Sequence, residues 1–123
     1  MALTLIPSQD GKYITMKING EINRKLAIEY DNEAHALGKK LGINIYLMDL
    51  TESKNTDTVI ENYSFAYDDV REQKFDKAAL VVLLVAEDDH SHDFIETVSQ
   101  NAGLNVVLFR DRVEAERYIR NFK

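Results

Sequence analysis

The chain has no cysteine, one proline and only five glycines. Without cysteine there is no disulfide, no thiol nucleophile and no thiolate metal site. A single proline, Pro7, suits a chain built mostly of regular elements. No apolar run approaches the roughly 20 residues a membrane helix needs. The N-terminus has no basic segment followed by a long apolar core, so no secretory leader is expected. Neither G-x-G-x-x-G nor G-x-x-x-x-G-K occurs, which disfavours the common nucleotide enzymes. G-x-S-x-G and H-E-x-x-H are also missing, so serine hydrolases and zincins lose their usual signatures. Basic charge is in short supply, with 15 Lys and Arg against 21 Asp and Glu, a net −6. That balance opposes nonspecific nucleic-acid binding, which depends on neutralising phosphates.

What is present suits one folded domain over residues 1–123. The length is a common domain size, and 45% hydrophobic residues suffice for a core. Leu3 to Ile6 is a short strand, Pro7 to Gly11 a turn with a strong Asp-Gly signal, and Tyr13 to Ile18 an alternating return strand. Asn19-Gly20 then ends or bends it. A helix is expected from Asn23, a good N-cap, to Leu41, with Leu26, Tyr30, Ala34, Leu37 and Leu41 on one face. Gly42 stops it. Ile43 to Leu50 reads as a buried parallel strand.

A polar segment, Thr51 to Thr58, precedes a second helix over Thr56 to Gln73, whose apolar face is Val59, Tyr63, Ala66 and Val70. Ala78 to Ala86 is the clearest strand. Ser91 is placed to cap a helix holding Phe94, Ile95, Val98 and Ala102, which Gly103 ends. Asn105 to Phe109 is the last strand. Arg112 to Phe122 is a terminal helix with Val113, Ile119 and Phe122 inward. The order β-β-α-β-α-β-α-β-α predicts an α/β fold: a single, mostly parallel five-stranded sheet with an N-terminal antiparallel hairpin and four helices.

Parallel strands deliver their exit loops to one edge. The residues brought there are Gly20 to Asn23, Asp49 to Thr58, Glu87 to Ser91, and Arg110-Asp111. The hydroxyls and carboxylates of the strand-to-helix loop 49–58 (Asp49, Thr51, Ser53, Thr56, Asp57 and Thr58) are the candidates for partner binding or phosphate acceptance. A phosphate at a helix start would meet a favourable dipole. The same residues also serve as ordinary turn and cap groups. Tyr63, Phe65 and Tyr67, with Phe75, cannot share one narrow helical face. They are candidates for a pocket or interface lining, or they bridge neighbouring helices. Glu87 to Asp93 gathers carboxylates with His90 and His92, but the two histidines should diverge at a helix start, and no metal site is assigned. His35, on a charged part of the first helix, is expected to face solvent. No catalytic residue and no cofactor is assigned.

The hairpin, the strand ending in Met48-Asp49-Leu50, the helix with Tyr63, Phe65 and Asp68, and Asp76-Lys77-Ala78-Ala79-Leu80-Val81-Val82 together resemble the SpoIIAA-like/STAS superfamily. More narrowly, they are similar to small bacterial STAS/SEC14-like proteins. The likeness runs through Ala115 to Ile119. It implies a cytoplasmic, noncatalytic regulatory or protein-interaction domain related to anti-sigma factor antagonists, acting through loop 49–58. In those antagonists a serine at the start of the second helix is phosphorylated. Asp49-Leu50-Thr51 matches the first part of the family's pattern, but Val59 stands where that serine should be and Ile60 where glycine should be. Thr58 is only a neighbouring hydroxyl. The SEC14-type alternative implies a small apolar ligand or lipid instead. A receiver domain is disfavoured, because the first strand lacks the acidic pair that would hold Mg²⁺. The expected partner is thus a protein or a small apolar ligand, with no nucleic acid and no membrane span. Exposed aromatics and a free edge strand are the features through which a homodimer would form.

Overall fold

A computed structural model describes residues 2–56, 59–69 and 78–122. The side chains of Val59, Ile60 and Tyr63 are not among those described. Strand β1 (Leu3–Pro7) pairs antiparallel with β2 (Ile14–Ile22). Helix α1 (Arg24–Leu41) carries the chain to β3 (Ile45–Asn55). Helix α2 (Val59–Ser64) continues as a π-helical turn, Phe65–Asp69. Then follow β4 (Leu80–Val85), α3 (Asp93–Asn101), β5 (Asn105–Phe109) and α4 (Arg112–Asn121). The sheet order is β1-β2-β3-β4-β5, and every pair after the hairpin is parallel. The predicted α/β architecture is the one observed.

Because the strands are laid down in sequential order, right-handed crossovers place α1, α2 and α3 on the same side of the sheet. Ile14, Met16 and Ile18 of β2, Met48 and Leu50 of β3, and Leu83 and Val85 of β4 form the core beneath them. The terminal helix α4 lies on the opposite face, where Ala115 and Ile119 pack on Leu47, Leu80, Val82 and Leu84. The unbroken apolar run of β4 follows from this, since both of its faces are covered.

The ends of α1 form as the sequence predicts. The Asn23 side chain accepts a hydrogen bond from the Leu26 amide at 3.0 Å. Gly42 takes φ +71°, and its amide bonds back to the Gly38 carbonyl. Inside the helix, Gly38 is there for space. A Cβ on it would collide with the Tyr46 hydroxyl and come within 2.7 Å of the Ile43 carbonyl oxygen. The absent side chain lets Tyr46 rise from β3 against the helix, its hydroxyl donating to the Ile43 carbonyl at 3.4 Å.

Several expectations are corrected. Leu41 is 45% exposed and Val113 is 61% exposed, because each lies past or beside the line that meets the sheet. In α4 that line is Ala115 and Ile119, one turn apart. His35 is not a solvated helix residue; its ring lies 4.7 Å from that of Tyr46. Ser91 does not cap α3. The N-cap is His92, without a side-chain cap bond, and the Ser91 hydroxyl instead accepts from the Asn55 amide at 3.0 Å. Val70, Phe75 and the stretch to Lys77 lie outside the described residues, so the helix expected to run to Gln73 is seen to Asp69.

Gly38→Ala should lower stability by about 1–3 kcal/mol through overpacking, despite the better helix propensity of alanine. Urea unfolding of the two proteins measures it. A G38A protein as stable as the parent would show that the close approach of Tyr46 is not needed.

Candidate functional site

The largest departure from the sequence reading is in residues 49–58. Residues 49–55 are strand, not loop: β3 runs through to Asn55, and β2 runs through Asn19-Gly20 to Ile22 beside it. Pairing steps from Lys17↔Asp49 to Asn19↔Glu52, so two residues of β2 match three of β3. The extra residue is a β-bulge, which shifts the alternation of side chains along β3. Before it, Leu47 and Asp49 face α4, while Met48 and Leu50 face the helical layer. After it, Ser53 and Asn55 stand opposite Gly20 and Ile22 and join the helical side.

The exits do gather at one rim. Thr56 donates its amide to the Ile22 carbonyl, Arg112 reaches Asp49, and Arg110 donates to the Asp89 carbonyl. Two buried carboxylates organise it. Asp49 is only 2% exposed and accepts from the Thr51 hydroxyl at 2.7 Å and from Arg112 at 2.6 Å. Lys17 stands 3.5 Å away and also pairs with the exposed Glu52 at 3.3 Å. Burial pushes the Asp49 carboxyl up, but the Thr51 hydroxyl and amide, Lys17 and Arg112 together hold it below the ordinary aspartate value.

Asp89 accepts from the Ser91 amide at 2.9 Å and lies 3.4 Å from Lys54. Burial also pushes this carboxyl up, and the Ser91 bonds, His92 and Lys54 overcome it. His92 is buried; its Nε2 lies 3.2 Å from the Ser53 carbonyl oxygen, so Nε2–H donates there. Burial favours the neutral ring and lowers its pKa, against the pull of the Ser53 carbonyl and Asp89. His90 is exposed and pairs with Asp93 at 2.8 Å, beside Arg110. The two imidazoles point to different partners. No group of His, Asp and Glu with metal-binding geometry occurs among the described residues.

Under the helical layer lies a cavity of about 110 Å³. Its floor is Met48, Leu50, Val81 and Leu83 of the sheet, and Phe65 and Ile95 close it from the helices. Asn23, Ala27, Asp31 and His35 line it from α1. The bulge supplies Asn55, whose side chain donates to Asn62 at 2.9 Å. Burial pushes the half-buried Asp31 carboxyl up to about 7.

The predicted site residues therefore separate. Asp49 and Ser53 are buried, and the Ser53 hydroxyl has no hydrogen-bond partner among the described residues. Thr51 is exposed, with its hydroxyl committed to Asp49. Thr56 is exposed and donates to the Ile22 carbonyl at 3.3 Å. Asp57 and Thr58 lie outside the described residues. Of the aromatics, Phe65 lines the cavity, Tyr67 is half-buried away from it, and the Tyr63 side chain is not described. Sequence reading missed Asp31 and His35 as cavity residues. The available signal was their spacing, since Asn23, Ala27, Asp31 and His35 fall four apart on one line of a helix.

No protein-family model matches the chain, and no curated protein matches it. Solved structures do. A Shewanella loihica PV-4 protein of the DUF3478 family with a SpoIIAA-like fold superposes with a TM-score of 0.54 at 22% identity, over 96% of this chain and 92% of that one. The anti-sigma factor antagonist SpoIIAA in its unphosphorylated form superposes with a TM-score of 0.57 at 13% identity, over 98% of this chain and 100% of that one. The chain has a SpoIIAA-like fold, as the sequence resemblance implies. None of the described helices is long and apolar enough to cross a membrane.

Asp49→Asn keeps the shape and removes the charge that Lys17 and Arg112 surround. A carboxyl held low in the folded state adds stability above its ordinary pKa, and the gain is lost as pH falls through the lowered value. D49N should cost about 1–3 kcal/mol at neutral pH, with the gap to the parent closing as the pH drops below about 4. Urea titrations at pH 7 and pH 3 measure both; an equal gap at the two pH values would mean that charge is not what Asp49 contributes.

Proposed function

We propose that the chain is a noncatalytic regulatory domain that binds a protein partner across the strand-exit rim. The observation that carries this reading is the split among the hydroxyls. Ser53 is buried and the exposed Thr51 gives its hydroxyl to the buried Asp49 carboxylate at 2.7 Å, whereas Thr56, exposed just past β3 and ahead of α2, has only a longer 3.3 Å bond to the Ile22 carbonyl. Phosphate on Thr51 would set a dianion against the Asp49 carboxylate, while at Thr56 it would project into solvent beside the following helix. Thr56, with Asp57 and Thr58 next to it, is the segment on which partner choice or phosphorylation would act. Exposed Glu21, Glu52, Glu87, Asp88 and Asp111 lie on or beside the strand exits, which suits a basic partner. The solved antagonist whose fold this chain shares is described in an unphosphorylated form, which supports a switchable surface as the reading.

A second reading rests on the cavity. Its apolar floor between sheet and helices is the kind of lining that takes a small apolar ligand. At about 110 Å³ it suits a compact molecule rather than a long lipid chain.

Affinity capture from an extract of the parent organism tests the first reading. Thr56→Glu, Thr58→Glu and the double reversal Glu87→Lys/Asp88→Lys should each reduce recovery of a shared partner at least several-fold. Ser53→Ala should leave recovery unchanged and alter stability by less than about 1 kcal/mol, because the hydroxyl it removes has no partner among the described residues. Recovery that is the same across the rim series, or lost only in S53A, would refute the assignment.

A further inference from the structure

The cavity has one chemically pointed feature. Met48, Leu50, Val81 and Leu83 give it a hydrocarbon floor, yet α1 sets a carboxylate into its roof at Asp31, between Ala27 and His35 on the same helical line. Asp31 makes no hydrogen bond or ion pair among the described residues, and none of the described lining residues is a lysine or an arginine. Several of the other polar lining groups already have partners. Asn23 accepts from the Leu26 amide, Asn55 donates to Asn62, and His92 directs Nε2–H at the Ser53 carbonyl. A carboxylate beside apolar walls is costly unless a positive group meets it. Burial raises the proton affinity of Asp31, and His35, one turn along α1, lines the same cavity.

We infer that this cavity binds a small primary amine with a compact apolar body, its ammonium on the Asp31 carboxylate and its hydrocarbon against Met48, Leu50, Val81 and Leu83. The inference rests on the ligand-binding reading and deepens it. Size limits the body: a cavity of about 150 Å³ holds a benzene ring, so about 110 Å³ takes roughly four to five carbons. Charge selects the head group. The net charge of −6 favours the approach of a cation and opposes that of a carboxylate such as a fatty acid. Ala27 keeps the wall beside Asp31 open, since a larger side chain one turn away would fill the space.

Isopentylamine, isopentanol and isovalerate have nearly the same body and differ in the head group. Titration of each into the full chain, followed by amide chemical shifts and by calorimetry, tests the inference. The amine should bind at least tenfold more tightly than the alcohol, and isovalerate should not bind. The shifts should centre on α1 and on β3 and β4. Asp31→Asn should abolish the preference for the amine and leave alcohol binding within twofold; the alcohol thus reports on whether the variant cavity is intact. Ala27→Leu should remove both. Equal binding of amine and alcohol, unchanged in D31N, would overturn the role of Asp31 while leaving a ligand cavity. Absence of binding by all three would overturn the cavity reading together with the amine assignment.

Discussion

Strand β3 is hydrogen-bonded on both sides and is the longest strand of the sheet, and the rest of the molecule is referenced to it. Its pairing with β2 carries one extra residue, and that residue decides which side chains face which layer. On the near side of the bulge Asp49 is delivered to α4, where Arg112 and Lys17 meet it. On the far side Asn55 is delivered to the cavity and the Ser53 carbonyl to His92. Without the bulge the period of two would send Ser53 and Asn55 to the face of Asp49. The rim and the cavity would then lose their connection.

The sequential strand order has a second consequence. Three crossovers on one side leave α4 alone on the other, so the two faces of the sheet do different work. The α4 face is a compact seam of Leu47, Leu80, Val82, Leu84, Ala115 and Ile119. The three-helix face must accommodate elements of unequal length, and the cavity lies there, between α1, the π-helical turn and α3. Arg24 at the start of α1 grips buried Asp69 with two bonds of 2.6 and 2.8 Å, which fixes the end of that turn against α1. Rim and cavity are thus adjacent through β3 and α3. His92 shows the link directly: it bonds the strand at Ser53 and also lines the cavity.

The acidic rim also reads differently in three dimensions. Asp49 and Asp89, which look like two more surface carboxylates in the sequence, are buried and held ionised by hydrogen bonds and cations. They set the geometry of the rim. The exposed carboxylates near the strand exits are Glu21, Glu52, Glu87, Asp88 and Asp111, with Lys54 and Arg112 exposed beside the buried pair.

Element order, the sheet class and the meeting of strand exits were legible in the chain itself, because each rests on local periodicity and on caps such as Asn23 and Gly42. So was the resemblance to SpoIIAA-like proteins, which is a pattern of elements and which the shared fold bears out. The extension of β3 to Asn55 was not legible, since Thr51 to Asn55 has the composition of a loop and becomes strand only by pairing with β2. Nor were the burial of Asp49 and Ser53, the turn of His35 onto Tyr46, and the exposure of Asp31 to a cavity. These depend on register and on packing between residues far apart in the chain, which the hydrophobic pattern of one segment does not encode.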